Sequence, residues 1–573
     1  MWIKKLRIKN FRQIENLEIQ FNKGLSVLVG ENNCGKTTII DALRMVLFPG
    51  RDYDSINITE DDFRRDSENS TIEISALFSG LSSQDQTRYL DCLVLREDHE
   101  FDLRFNIEIE FDSRTGRCKY RTSGGEVGGS KPSSDHHDFI HTIYLPPLRD
   151  PNRELRPGHY SRVSKILQSN TSVSDQSEFE SIAKEANEKI QSLDAIKDAT
   201  TSINEQSASI AGPVLSQETE LVFSDPEFSH IVAGLKPVVD DLPFHLNGLG
   251  FNNLLMASAS LVLLKKSPDL SYRGLLVEEP EAHLHPHLQV LLLRQLANIA
   301  AEGDKKKQPV QVVVSSHSPL LVSQAPLQSI ISISQGPGSI MKASEMAAVS
   351  LSDTEQKKLK RYLDSTRSEL FFAKKVILVE GISDHLIIQS LSRHLQVDLK
   401  SEAVTIVRVE GLNFDIFVKL FQDEKLPTPV SIVTDGDMDS DGKLSSSSIN
   451  LRKMCQDIPN VEVFYCEKTL EHELAKTPAL LKLMLSAYST LHPVKGLKLS
   501  ELILPLLPEN GDHNANVFLD YFKSGNTSKG RYAQELAQLI DDCDIDDSLV
   551  PEYIANAVKT VTTLEPFPGG NNE

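Results

Sequence analysis

LSVLVGENNCGKTTIIDALRMVL, Leu25 to Leu47, is the stretch that decides the fold. Leu25 to Val29 read as a buried strand. Lys36 to Leu47 carry apolar residues at helical spacing and read as a helix. Between them lies Gly30-x-x-x-x-Gly35-Lys36-Thr37. Glycines at these positions let backbone N–H groups curl around phosphates, and the helix N-terminus adds the positive end of its dipole. Lys36 is placed to reach β- and γ-phosphates and Thr37 to hold Mg²⁺. Gly30, Asn33, Gly35, Lys36, Thr37 and Thr38 are therefore the expected contacts of ATP and its Mg²⁺.

A phosphate loop needs acidic groups at a neighbouring strand end. RGLLVEEPEAHLHP, Arg273 to Pro286, supplies them. Its apolar strand ends in Glu278, expected near the magnesium, and Glu279, expected to polarise the attacking water. PVQVVVSSHSPLL is a further strand, ending at His317, a residue able to touch the γ-phosphate. His283, His285 and His287 alternate around Pro286, which denies them the helical i, i+4 face of a metal pair, and they read as a turn packed at a subunit contact.

These segments, with LRIKNFRQIENLEIQF before the loop, resemble the ABC-type ATPase heads of the RecF and SMC group. In that group two heads sandwich ATP, and a signature segment from one reaches the nucleotide on the other. The matching stretch is LNGLGFNNLL, with Gly248 and Gly250. Asn247 stands where the signature has serine and Leu249 interrupts its glycine pair, so ATP binding is expected over fast turnover.

After residue 350 the pattern restarts. Val376 to Val379 is a strand followed by Glu380, with a helix from about Ser383. VTIVRVEG is the next strand, and PVSIVTDGD another, ending at Asp435. Strands alternating with helices imply a parallel sheet whose ligands lie beyond the carboxyl ends of the strands. In SIVTDGDMDSDGK, Ser431 to Lys443, four aspartates repel one another unless a cation screens them. A calcium loop starting at Asp437 would need glutamate at its twelfth position, where Ser448 stands. The better reading joins Glu380 to Asp435-x-Asp437, the two aspartates turned to one side by the two-residue strand repeat. Asp384, one helical turn after Glu380, adds a ligand for a second ion. Two divalent ions roughly 4 Å apart suit phosphodiester cleavage. Asp439 and Asp441 have no assigned role.

This second arrangement resembles the Toprim domain. An ABC head followed by Toprim resembles the OLD (overcoming lysogenization defect) nucleases, with the Gabija-type defence nucleases as relatives. IYLPPLRDPNREL, VILVEGISD, TDGD, KTLEHEL and SKGRYAQELA carry the likeness. It implies that Lys529 assists the chemistry, that Glu471 lies near the second metal, and that the enzyme serves defence against phage.

The expected fold class is α/β. Residues 1–154 and 216–350 form the ATPase head, 155–215 a helical insertion for dimerisation, and 351–573 the Toprim nuclease domain with a C-terminal helical extension. The insertion shows one apolar stripe, Phe179, Ile182, Ala186, Ile190 and Leu193. The expected activity is ATP-binding, metal-dependent DNA endonuclease, with catalytic residues Glu380, Asp435, Asp437, Lys529 and Glu279, and Mg²⁺ or Mn²⁺ held by Glu380, Asp384, Asp435, Asp437 and Glu471. The alternatives are an ATP-switched RecF-like DNA-repair binder, which has no need of the carboxylates, and a topoisomerase-like enzyme, for which none of the 12 tyrosines lies in a recognisable breakage segment.

Bulk properties agree with this reading. The chain has 573 residues and a net charge of −21, which argues against a general nucleic-acid coat protein but leaves local patches open. Three basic patches stand out: Lys4, Lys5, Arg7, Lys9 and Arg12; Arg149, Arg153, Arg156 and Arg162; Lys357, Lys358, Lys360 and Arg361. No apolar run is long enough to span a membrane, and the N-terminus lacks a signal core. Six scattered cysteines suit a reducing cytoplasm. The expected partners are DNA, further copies of the chain as a homodimer or homotetramer, and a helicase or other defence-system protein.

Overall fold

The computed structural model describes residues 1–47, 56–64, 71–126, 132, 134–147, 157–158, 161–212, 215–223, 225–239, 241–243, 246–264, 270–305, 310–336, 340–411, 413–438, 443–507, 509, 511–524, 527–543 and 545–564. The chain divides into two compact units, Met1–His137 with Val290–Glu573, and Asp138–Gln289.

The first unit opens with β1 (Trp2–Phe11), β2 (Ile14–Gln20), β3 (Leu25–Val29), β4 (Thr71–Ser79), β5 (Leu93–Leu95), β6 (Phe101–Asp112) and β7 (Arg117–Gly124). All but β3 form an antiparallel sheet in the order β2-β1-β4-β6-β5, with β7 also on β6. Burial alternates along β4 and β6, as expected of a sheet with one face wet. Three cations of the first basic patch, Lys5, Lys9 and Arg12, are paired. Register sets Lys9 opposite Glu73, and Lys5 reaches Glu18 at 2.5 Å. Arg12 bridges Asp41 and Asp62, each at 2.8 Å. These cations answer neighbouring carboxylates instead of forming an open cationic face.

The second unit holds β8 (Ile140–Leu145), the short hairpin β9 (Val238–Val239) and β10 (Leu242–Pro243), and β11 (Tyr272–Glu278), which pairs in parallel with β8. It also holds helices Val173–Gln191 and Asp194–Ala211. Phe179 meets Phe228 edge-on at 5.6 Å, but Ile182 and Leu193 are 60% and 57% exposed. The narrow stripe is thus only half covered within one chain. Of the second basic patch only Arg162 is described; Arg149, Arg153 and Arg156 lie outside the described residues.

The chain then returns to the first unit with β12 (Gln311–Ser316), β13 (Ile330–Gln335) and β14 (Met341–Glu345). β3 pairs in parallel with both β12 and β13, and β14 closes antiparallel on β13. β3 and β12 are buried at every position, which suits their apolar centres, with Ser26, Gln311, Ser315 and Ser316 buried beside them. In the third basic patch, Lys360 donates to the carbonyls of Ser323 and Ala325 at the C-terminal end of helix Pro319–Gln324. Burial lowers its pKa to about 8. It is a helix cap.

The last sheet comprises β15 (Lys375–Val379), β16 (Val404–Arg408), β17 (Val430–Thr434) and β18 (Val461–Tyr465), all parallel, in the order β16-β15-β17-β18. Its carboxyl strand ends therefore share one edge. Helix Ile382–His394 and the C-terminal helices cover it, burying Ile377, Val379, Ile387, Leu391, Leu536 and Val558 in one core. Each such side chain contributes about 1.5–3 kcal/mol. Helix Glu552–Thr563 lies on the sheet, where Ser431 donates to the carbonyl of Ala557 at 2.9 Å.

Candidate functional site

The phosphate loop leaves β3 at Gly30 and closes on helix Lys36–Leu47. Gly30 has φ +151°, and a Cβ there would stand 2.2 Å from the carbonyl oxygen of Ile333, so only glycine fits. Asn33 and Gly35 also have positive φ, 62° and 85°. The buried Lys36 ammonium lies within its own loop, donating to the carbonyls of Gly30 at 2.8 Å and Glu31 at 2.6 Å. Thr37 is exposed, whereas buried Thr38 donates to Gln13 at 3.2 Å. His317 follows β12 directly. Because Ser316 aligns with Val29, Gly30 and His317 leave the sheet side by side. A cleft of 370 Å³ runs from Glu31 and Cys34 of the loop to Phe372 and Lys374 before β15. There Lys374 Nζ pairs with Glu31 at 3.4 Å.

In the second unit Glu278 ends β11 and is buried; Glu279 follows with φ +41°. A left-handed glutamate is strained by roughly 1–3 kcal/mol, the kind of cost that persists where a side chain must be aimed. His283 lies in a turn and His285 just before helix Pro286–Lys305, whereas His287 is the second residue of that helix, so the expected turn holds for only part of the segment. Gly250, on helix Leu249–Leu264, lies against that turn: its Cβ would stand 2.5 Å from the carbonyl oxygen of His283. Buried Asn253 donates to the carbonyl of Ala282 at 3.4 Å. Gly248 has open space around it.

The carboxylates gather at the carboxyl edge of the last sheet. Glu380 follows β15. Its Oε1 accepts from Thr434 Oγ1 at 2.5 Å and from the Asp435 N–H at 3.0 Å. Asp435 follows β17, and its Oδ1 accepts from the Leu470 N–H at 3.1 Å and Cys466 Sγ at 3.3 Å. Asp384 sits in the first turn of helix Ile382–His394 and accepts from the Gly381 N–H at 3.0 Å. Glu471 is buried and paired with Lys529 at 3.2 Å. Lys529 begins helix Lys529–Asp541, which packs on helix Ile382–His394. A Cβ on Gly530 would meet Ile382 Cγ2 at 3.3 Å.

The charges of these groups act on one another. Burial, then the charges of Glu380 and Glu471, push Asp384 up to about 7. Burial, then Glu380, Asp384 and Glu471, push Asp435 up to about 8. Lys529 is raised; burial opposes its charge, but Glu471, Asp435 and Asp384 outweigh it. Carboxyls that hold protons near neutrality for want of positive charge are what a divalent-cation site presents, and an all-oxygen donor set suits Mg²⁺ or Mn²⁺. Among the described residues, the one group with three ligand atoms within 4.8 Å is Asp225, Glu227 and His230. All three are exposed neighbours around the start of a short helix, a local charge cluster at the surface.

Two details differ from the strand-repeat reasoning. β17 ends at Thr434, and exposed Asp437 has φ +44°, so alternation does not carry through to it. Asp384 is not one helical turn from Glu380, because Glu380 belongs to the strand end; capping of Gly381 brings the two together. Asp439 and Asp441 lie outside the described residues. Ser448 is buried in helix Ser446–Cys455 and donates to the Asp435 carbonyl at 3.3 Å, committed away from any calcium loop. Thr434 and Cys466 went unnoticed in the sequence. Thr434 could have been found as the residue before the strand-end aspartate, whereas Cys466 meets Asp435 only because β18 lies beside β17.

The AAA ATPase domain family matches residues 1–123 and 139–322. Residues 371–437 match the overcoming lysogenization defect protein-like TOPRIM domain. The chain is similar to the OLD nuclease of Thermus scotoductus, 24% identical over 424 residues, 71% of this chain and 77% of that one. It is also similar to Endonuclease GajA of Bacillus cereus (strain VD045), 23% identical over 451 residues, 76% of this chain and 75% of that one. Among solved structures, the C-terminal region of the Xanthomonas campestris pv. campestris OLD protein covers 34% of this chain and 94% of its own, at 25% identity and TM-score 0.27. The SMC head bound to the C-winged helix domain of ScpA covers 62% of this chain and 100% of its own, at 18% identity and TM-score 0.38.

Proposed function

The chain belongs to the AAA ATPase domain family and carries an OLD-like TOPRIM domain, and from that premise we propose that it is an ATP-binding, divalent-metal-dependent DNA endonuclease of antiphage defence. The observation that carries this reading is the convergence of Glu380, Asp384, Asp435 and Glu471 with Lys529 at one sheet edge. Such a cluster is costly to bury without a cation, and a DNA-repair clamp has no use for it. Similarity to the OLD nuclease and to Endonuclease GajA supports the nuclease reaction.

Glu380, Asp384, Asp435 and Glu471 would hold Mg²⁺ or Mn²⁺, with Asp437 reaching from the exposed turn beyond Asp435. Bound there, a divalent ion supplies Lewis-acid stabilisation of the phosphoryl oxygens. Lys529 neutralises charge that develops on the phosphate during cleavage. Its pairing with Glu471 holds the ammonium at the cluster. In the head, Gly30, Asn33, Gly35, Lys36, Thr37 and Thr38 form the ATP and Mg²⁺ site. Lys36 must exchange its own loop carbonyls for phosphate oxygens when nucleotide enters. His317 belongs to that site; Glu278 and Glu279 keep the magnesium and water roles that their motif implies, and Gly248 and Gly250 serve the nucleotide of a partner head. The half-covered stripe with Ile182 and Leu193 supports assembly into a homodimer or homotetramer through the helical insertion. The domain limits 1–154, 155–215, 216–350 and 351–573 belong to the same reading. So do a cytoplasmic setting, supported by six free cysteines, and a helicase or other defence partner. No described helix is long and apolar enough to cross a membrane.

The test is supercoiled plasmid with Mg²⁺ or Mn²⁺, with and without ATP. Nicked and linear products are expected, absent in Glu380→Ala. Cutting that persists in Glu380→Ala overturns the assignment of the reaction to this edge.

A further inference from the structure

Three neighbouring strand ends, β15, β17 and β18, each carry a group that reaches sideways. Val379 aligns with Val433, so Thr434 stands level with Glu380 on the next strand. Thr434 aligns with Tyr465, so Cys466 stands level with Asp435 on the strand after that. Thr434 and Cys466 are 5% and 2% exposed. Each donates to one oxygen of the adjacent carboxylate, Thr434 to Glu380 Oε1 and Cys466 to Asp435 Oδ1. A backbone N–H reinforces each bond on the same oxygen, from Asp435 and Leu470 respectively. Glu380 Oε2 and Asp435 Oδ2 are not used by these bonds.

We propose that Thr434 and Cys466 are positioning residues of the metal site. Each pins one oxygen of a central carboxylate from the neighbouring strand end, so that the other oxygen is presented to the cation. This rests on the metal-site reading above and adds two residues without charge to it. A pinned carboxylate loses little rotamer freedom on binding the ion, and its second oxygen points in a direction fixed by the sheet. Outer-shell partners of this kind commonly change metal affinity 10- to 100-fold when removed. The arrangement also accounts for Gly436, whose Cβ would stand 2.1 Å from the carbonyl oxygen of Cys466. The chain after Asp435 must run this close to β18 for the thiol to reach.

The test measures Mn²⁺ binding to the full-length protein without nucleotide, by electron paramagnetic resonance of the free ion, beside melting temperatures in EDTA. Thr434→Val and Cys466→Ala remove the donors; Thr434→Ser and Cys466→Ser keep them. Thr434→Val is expected to weaken Mn²⁺ binding about tenfold, and Cys466→Ala several-fold because a thiol is a weaker donor. Both serine variants should bind close to the unmodified protein. A merely structural role would lower the melting temperature in EDTA and leave Mn²⁺ affinity alone; that result overturns the proposal. Should Thr434→Val fail to fold, the Cys466→Ala and Cys466→Ser pair decides the matter by the same criterion. Unmodified protein that neither binds Mn²⁺ nor nicks plasmid overturns the metal reading itself, and the pinning with it. Normal binding with unaffected variants overturns the pinning alone.

Discussion

Asp384→Asn should make the protein more stable without metal and less stable with it. The amide keeps an acceptor for the Gly381 N–H, bonded at 3.0 Å, and removes one charge from the cluster. A carboxyl that holds its proton to about 7 in the folded chain, against an ordinary 3.8, costs the fold about 4 kcal/mol once ionised, at 1.36 kcal/mol per pH unit. Asp384 keeps some contact with water, so roughly half of that, about 2 kcal/mol, is the expected gain on substitution. The sign in pH is fixed. From about pH 4 the unfolded chain gives up a proton that the folded chain retains, so stability falls up to about pH 7 and stays low above it. The advantage of Asp384→Asn should therefore be largest at pH 8 and shrink toward pH 5. For a cooperative unit of 150–250 residues, about 2 kcal/mol is roughly 5 °C in melting temperature. In EDTA at pH 8 the variant should melt about that much higher. With Mn²⁺ at a hundred times its Kd, the unmodified protein gains about 2.7 kcal/mol, and the order reverses. Fluorescence-monitored melting with and without Mn²⁺ reads both halves. A variant that melts at or below the unmodified protein in EDTA at pH 8 would refute the repulsion argument.

Four further outcomes are expected. Because Asp384 and Asp435 hold protons up to about 7 and 8, Mn²⁺ affinity should rise at least tenfold from pH 6 to pH 8.5, with proton release seen by calorimetry in two buffers. Gly436→Ala should lose plasmid nicking and about 1–3 kcal/mol of stability in urea, since its Cβ would force β17 and β18 apart at their ends. Lys360→Met should cost about 1–3 kcal/mol in the same assay by leaving the Ser323 and Ala325 carbonyls uncapped, and leave Mn²⁺ affinity unchanged. Lys36→Ala should abolish binding of a fluorescent ATP analogue and spare nucleotide-free Mn²⁺ binding at the carboxylates; loss of both would join the two sites more tightly than the strand arrangement implies.

What could be read from the sequence was local. Leu25–Val29 and Lys36–Leu47 are a strand and a helix at the boundaries their apolar spacing implies, because a fully buried parallel strand needs a largely apolar run. Glu380 and Asp435 were legible for the same reason, each ending such a run. What escaped depends on register and on where strands stop. Lys5 and Lys9 looked like an open basic patch because Glu18 and Glu73 are distant in sequence and adjacent only across β2 and β4. Lys360 looked like a surface charge in a basic run, and only the fold shows which carbonyls it meets. Asp437 was expected to repeat the orientation of Asp435, but strand geometry ends one residue before Asp435. Cys466 could not be singled out without knowing that β18 neighbours β17.

β15 is a tie rod of fixed length. Lys374, at its root, is paired with Glu31 of the phosphate loop, and Glu380 hangs from its tip. Five residues span about 17 Å, and hydrogen bonding to β16 on one side and β17 on the other keeps the rod from bowing. Its buried side chains can change only among apolar residues of similar volume, each swap costing less than about 1.5 kcal/mol. Its residue count cannot change. Adding or deleting one residue between Lys375 and Val379 would slide every pairing by one place, exchange the side chains of two buried faces and carry Glu380 away from Thr434. Volume-conserving substitution is cheap along this strand and insertion ruinous, so the spacing between loop and carboxylate should drift more slowly than the letters that fill it.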